Sequence, residues 1–290
     1  MALIQGARLS EVDIPIATLS SEDPNSSLRQ RRLMFPDATQ CNRALDLGVF
    51  YMAVPDSLSL NKARAFGRSL LVPDSPFRNV PSYGELEGFI ALENNQQTKL
   101  ALRREHWAAH YPPEIAFLGK QLDDVGIAIM CEVLSQAGIP ESLWGRASGG
   151  YTAGAGTAFL NFVHYDTRST ALGLRPHTDY GFVTILDATA PGLQILINGE
   201  FVDVPVLSDH LVINFGEALH YVTQFARRSV GAVVHRVLSQ KDSDPTRHSI
   251  VYFANPDLDG LLWQFNVNGE IKGSSSVEGL FAHLENRLTQ

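Results

Sequence analysis

The chain has 290 residues, 44% of them hydrophobic and 19% charged, which suffices for one large domain with a substantial core. Its 23 basic and 31 acidic side chains give a net charge of −8, which excludes the basic footprint of a nucleic-acid binder. Two cysteines, Cys41 and Cys131, in no paired motif exclude a disulfide scaffold and a thiolate metal site.

The opening stretch MALIQGARLSEVDIP has no basic segment followed by an apolar run. No uncharged apolar stretch approaches the roughly 20 residues that span a bilayer. A cytoplasmic protein with no membrane partner is expected. Residues 12–16 read as a short extended segment. A polar loop follows, then a helix expected over about 28–47, which Gly48 caps before the apolar strand 49–54. Residues 57–150 read as mainly helical. The clearest helix runs from Ile115 to Ala137, with Ile115, Leu118, Leu122, Val125, Ile129 and Val133 at helical spacing.

After Gly149 and Gly150 the character changes. Short β-type runs follow one another: AFLNFVHY, FVTIL, LQILI, FVDVPV, LVINF, GAVVHRVL and HSIVYFA. Turn residues separate them, as in a β-sandwich or barrel. A last helix is expected over about 276–288. The chain thus divides into a helix-rich flank, 1–150, and a β-rich core, 151–290.

Three places carry chemistry. In HTDYGFVTIL (177–186), strand alternation puts His177 and Asp179 on one face, where both can reach one cation. Alone, this pair reads equally well as a surface histidine beside a strand-end acid. His235 interrupts the apolar strand VVHRVL, 58 residues after His177; two histidines and one carboxylate with open positions suit a non-heme Fe(II) oxygenase site. Arg247 and Ser249 share a face in RHSIVYF, with His248 on the other. A guanidinium fork and a hydroxyl hold a carboxylate well. Alone, Arg247 better suits an ion pair with Asp242 or Asp244 at a strand edge.

In order and spacing, HTDYGFVTIL, GLQILINGEFVDVP, LVINFGEAL, HRVL and RHSIVYFANPD resemble the C-terminal core of a known family. It is the isopenicillin N synthase-like family of Fe(II)/2-oxoglutarate dioxygenases. DIPIATLS and RALDLGVFYM resemble its N-terminal region more loosely. The resemblance implies an α+β fold: a double-stranded β-helix (jelly-roll) core, iron at its mouth, and a helix-rich N-terminal flank. It implies His177, Asp179 and His235 as iron ligands, and Arg247 with Ser249 for the distal carboxylate of 2-oxoglutarate. Tyr165 falls where the family often has a tyrosine that helps hold this cosubstrate, although Asp166 replaces the proline usual after it and Val163 an asparagine common before it. Val222 or a neighbour stands where a tryptophan is usual, and QFARRSVGAVV is longer than usual; both departures bear on the substrate entrance. Beyond the metal ligands no catalytic side chain is assigned.

The activity implied is oxidation of an unactivated C–H bond of a small molecule, with O2 and 2-oxoglutarate consumed and succinate and carbon dioxide formed. Hydroxylation is the default outcome, desaturation or ring closure the variants. The nearest alternative keeps iron and drops 2-oxoglutarate, as isopenicillin N synthase and aminocyclopropane carboxylate oxidase do. A non-catalytic jelly-roll binding protein is the alternative from another class. Arg175, two residues before His177, would share its inward face and meet an anionic group of the substrate, or else be a strand-edge arginine. Phe182, Leu193 and Phe253 are expected as apolar pocket wall or as plain core. The His106/His110 pair lacks the glutamate of a zinc-protease helix, and the glycine-rich stretch 149–159 lacks the lysine of a phosphate loop.

Overall fold

A strand covered on one side alternates apolar and polar residues, whereas one covered on both reads as a continuous apolar run. FVTIL and LVINF are of the second kind, and the computed structural model places them in a sheet buried on both faces. The structure describes residues 13–288 apart from 22, 24, 71, 73, 85, 92–95, 168–170 and 242–245, with side chains to 282. Most of the opening stretch, including Val12, and both Asp242 and Asp244 lie outside the described residues.

The N-terminal half contributes β1 (Ile16–Ser20), β2 (Arg32–Met34), α1 (Ala38–Leu47), β3 (Val49–Ala53) and α2 (Leu60–Ser69). Then come β4 (Gly88–Ala91), β5 (Gln97–Arg103), α3 (Arg104–His110), α4 (Pro113–Gln136) and α5 (Trp144–Ala147). The C-terminal half adds β6 (Thr157–Tyr165), β7 (Leu174–His177), β8 (Val183–Ala188), β9 (Leu193–Ile197), β10 (Glu200–Asp203) and β11 (His210–Phe215). It ends with α6 (Glu217–Thr223), β12 (His235–Val237), β13 (His248–Asn255), β14 (Leu261–Phe265), β15 (Ile271–Ser276) and α7 (Val277–Leu288). Among the described residues no helix is long and apolar enough to cross a membrane.

Nine strands form the large sheet in the order β2-β1-β3-β11-β8-β13-β6-β5-β4, and four form the small one, β10-β9-β12-β7. Helices α2 and α4 pack on the outer face of the large sheet. Alternation then sorts each central strand in two. Leu160, Phe162, Ile185, Ile213, Ile250 and Tyr252 join the core beneath the helices. Val163, Tyr165, Leu186 and Val212 face inward and pack with Leu193, Ile195 and Val237 of the small sheet. The result is the α+β jelly roll expected, with a helical layer behind it.

Two local expectations are corrected. The helix expected over 28–47 is a 3-10 turn, then β2, then α1, because Pro36 cannot sit inside a helix; Asp37 restarts it by accepting a hydrogen bond from the Gln40 amide at 2.9 Å. The stretch 57–150, though mainly helical, also holds β4 and β5, which extend the large sheet beside β6. That sheet takes strands from both sides of residue 150, so the change of composition there is not a break in the fold.

Candidate metal centre

The two sheets enclose a cavity of about 210 Å³. β7 and β12 of the small sheet pair with His177 directly opposite His235, and Asp179 follows in the loop that leads to β8. A histidine beside a carbonyl oxygen must carry its proton on the facing nitrogen, since a carbonyl only accepts. The Nδ1–H of His177 donates to the carbonyl of Arg175 at 2.9 Å, and that of His235 to the carbonyl of Val233 at 3.2 Å. Each Nε2 is therefore left with a lone pair, and both lie 3.7 Å from Oδ1 of Asp179. The other carboxylate oxygen is occupied: Thr184 Oγ1 donates to Oδ2 at 2.6 Å. Three donors remain, all within 4.8 Å of one another.

This donor set fits a divalent first-row ion. Two ligand bonds of about 2.1 Å reach across roughly 4 Å, enough to bridge the 3.7 Å pairs. Two imidazoles and a carboxylate on one side, with cavity on the other, match the facial arrangement of non-heme iron sites. Burial, with the neighbouring His235 adding to it, pushes the His177 imidazole down to about 4 against the pull of Asp179, so it is neutral at physiological pH. The backbone supports the loop from behind. Glu217 N–H donates to the Asp179 carbonyl at 2.9 Å, and Gly216 comes so close that an added Cβ would collide with the carbonyls of Gly181 and Asp179.

Further along the same cavity lies Arg247, with 1% of its surface exposed. Its Nη1 donates to the carbonyls of Ala190 and Pro191, and its guanidinium carbon sits 5.2 Å over the Tyr165 ring. Among the described residues no acid pairs with it, and its Nε is buried without a hydrogen-bond partner. Ser249 is also buried, and its hydroxyl is likewise without a partner. A buried guanidinium and hydroxyl left unsatisfied favour an incoming carboxylate, which would compensate both. Tyr165 lines the cavity and accepts from Gln97 Nε2 at 3.3 Å.

Leu193 and Phe253 line the cavity. Two other residues take the alternative placement, outside the cavity. Arg175 is exposed and outside the cavity, because a β-bulge sets Leu174–His177 against only Val237 and His235 and turns Leu174 inward in its place. Phe182 is fully buried in the core under the helices, with its ring 6.2 Å from Tyr151. His106 and His110 are structural: the first binds Glu87 at 2.6 Å, the second Tyr83 at 2.5 Å. Sequence reading missed Lys99, Asn161, Thr184 and Asn214, which also line the cavity. For Lys99, Asn161 and Asn214 a signal was available, since each is a polar residue in a strand whose other side is apolar.

Residues 157–256 match the 2OG-Fe(II) oxygenase superfamily. Over 110 residues the chain is 39% identical to 1-aminocyclopropane-1-carboxylate oxidase 4 of Arabidopsis thaliana, covering 37% of this chain and 33% of that protein. It is 33% identical over 149 residues to 1-aminocyclopropane-1-carboxylate oxidase of Persea americana, covering 50% and 44%. The match thus spans about a third to under a half of the length of these relatives. Both agree with the resemblance read from the sequence. Among solved structures, the dioxygenase for auxin oxidation in rice superposes with a TM-score of 0.69 at 19% identity, covering 96% of this chain and 95% of that one. A full-length Neurospora crassa protein in complex with alpha-KG and thymine gives 0.65 at 18%, covering 87% and 93%. These two show the same fold.

Proposed function

We propose that the chain, whose residues 157–256 match the 2OG-Fe(II) oxygenase superfamily, is an Fe(II)/2-oxoglutarate-dependent oxygenase that oxidises a C–H bond of a small molecule. One observation carries the reading: three convergent metal donors line one cavity with a buried Arg247 that has no acid partner among the described residues. His177, Asp179 and His235 hold the metal. Arg247 and Ser249 take the far carboxylate of 2-oxoglutarate, with Tyr165 beside them. When bound, Fe(II) with O2 and 2-oxoglutarate supplies oxidative decarboxylation to succinate and carbon dioxide and the oxidising power for the substrate.

The protein's part is placement. The carbonyls of Arg175 and Val233 aim the imidazoles, and Thr184 fixes which carboxylate oxygen faces the centre. Ala190 and Pro191 hold the Arg247 fork at the end of the cavity. Leu174, Val251 and Phe253 give the wall an apolar stretch that keeps water from the reacting bond.

The test is release of labelled carbon dioxide from 2-oxoglutarate with Fe(II) and O2. Wild type should form succinate even without added substrate, and Asp179→Ala should lose at least about a hundredfold, since removing a ligand dismantles the metal site. Equal turnover by the variant would end the proposal. A second reading has its own support, because the sequence relatives reported above are 1-aminocyclopropane-1-carboxylate oxidases. In it the metal site is the same and Arg247 serves a different carboxylate. Oxygen consumption without decarboxylation of 2-oxoglutarate would select it.

A further inference from the structure

The cavity carries one cation more than the proposed cosubstrate uses. 2-Oxoglutarate has two carboxylates, of which one goes to the metal and the other to Arg247. Lys99 also lines the cavity, and among the described residues no acid and no hydrogen-bond acceptor pairs with it. Burial pulls its ammonium below the ordinary lysine range. The acid that shares the cavity lining is Asp179, whose two oxygens serve Thr184 and the metal site.

Position separates Lys99 from the cosubstrate end. It stands on β5 opposite Val163, and Val163 in turn pairs with Ser249 on β13. Two strand spacings, about 10 Å of backbone, therefore lie between Lys99 and the strand of Arg247. β7, which carries His177, is the edge strand of the small sheet, and its charge environment includes the Lys99 ammonium. Lys99 thus belongs to the His177 side of the cavity, next to the place where a substrate meets the metal. A partly desolvated lysine with no partner among the described residues, in a lining that adds apolar Val163, Leu174 and Val251 and uncharged Asn161 and Asn214, is a selector for a negative charge.

We propose that Lys99 binds a carboxylate of the organic substrate, so that the enzyme acts on small organic acids with an apolar body. The inference rests on the function proposed above. Both sources of a carboxylate, cosubstrate and substrate, are separated by two anaerobic calorimetric titrations of the Fe(II) protein. In the first, 2-oxoglutarate is titrated into wild type, Lys99→Met and Arg247→Leu. Lys99→Met should keep Kd within about twofold, while Arg247→Leu raises it at least about tenfold. In the second, phenylacetate and hexanoate are compared with phenylacetamide and hexanamide, with 2-oxoglutarate present.

Wild type should prefer at least one acid over its amide by about tenfold or more, the scale of one charge-assisted hydrogen bond. Lys99→Met should lose that preference without weakening the amide, and Lys99→Arg should restore part of it. Loss of 2-oxoglutarate affinity in Lys99→Met would overturn the proposal by making the lysine a cosubstrate anchor. Equal binding of acids and amides by wild type would overturn it directly. If wild type does not bind 2-oxoglutarate at all, the cosubstrate assignment fails, and the acid-against-amide comparison on the Fe(II) protein alone still decides the role of Lys99.

Discussion

His177 differs from an ordinary surface histidine in the proton it refuses. Its folded-state value of about 4 lies below the roughly 6.5 of an unfolded chain, with burial as the first cause. As pH falls from about 6.5 towards 4, the unfolded chain takes up this proton before the folded one does. Stability present above 6.5 is therefore lost through that window. The melting temperature of chelator-treated protein should fall from pH 7 to pH 5, and His177→Gln should show a shallower decline; parallel curves would contradict this assignment. At the residue scale the site was partly legible. His177, Asp179, His235 and Arg247 stood out because each is a polar or charged group in or beside an apolar strand. Thr184 did not, since a threonine suits any strand and its role lies only in the hydrogen bond to Asp179. Arg175 misled because the rule of alternating faces assumes a regular strand, and β7 is bulged.

An element buried on both faces hides its own orientation from the sequence. In β6, β8, β11 and β13 one side meets the helices and the other meets the cavity, so apolar residues mark both. β5 shows the converse. Leu100 and Leu102 pack under the helices while Gln97 and Lys99 face the cavity, a polar side turned inward and easily mistaken for a solvated one. The start of α6 was equally unreadable, because what matters at Gly216 is the hydrogen atom it has in place of a side chain. Substituting Gly216→Ala should push the Asp179 loop outward and weaken Zn(II) binding by about tenfold to a hundredfold, the usual cost of disturbing the shell behind a ligand. Competition against a chromophoric chelator would measure it, and an unchanged affinity would show that the loop accommodates the methyl group.

At the scale of the molecule, the metal donors join the two sheets. His177 and His235 belong to the small sheet, and Asp179 is tied through Thr184 to the large one. An ion held by all three would act as a cross-brace and bind the folded state alone. At a free concentration one hundred times its Kd it should add about 2.7 kcal/mol of stability. Zn(II) serves as a redox-silent probe: it should raise the melting temperature of wild type in a concentration-dependent way and leave Asp179→Ala unmoved. Identical shifts in both would place binding elsewhere. The jelly roll itself came from a resemblance, since alternation alone suggested only a sandwich or barrel. That β3 and β5 enter the same sheet as the C-terminal strands was not visible, because strand pairing between residues so far apart in the chain leaves no local mark.

Both imidazoles are steered by peptide carbonyls, those of Arg175 and Val233, and not by neighbouring side chains. A carbonyl is present whatever residue occupies the position, so exchanging the amino acids at 175 or 233 does not unhook either ring. Only a change in chain length within these strands would rotate a histidine away. The apolar lining at Val251 and Phe253 takes no part in these hydrogen bonds, so new preferences for what enters the chamber can be tried there one codon at a time without loosening the grip on the metal.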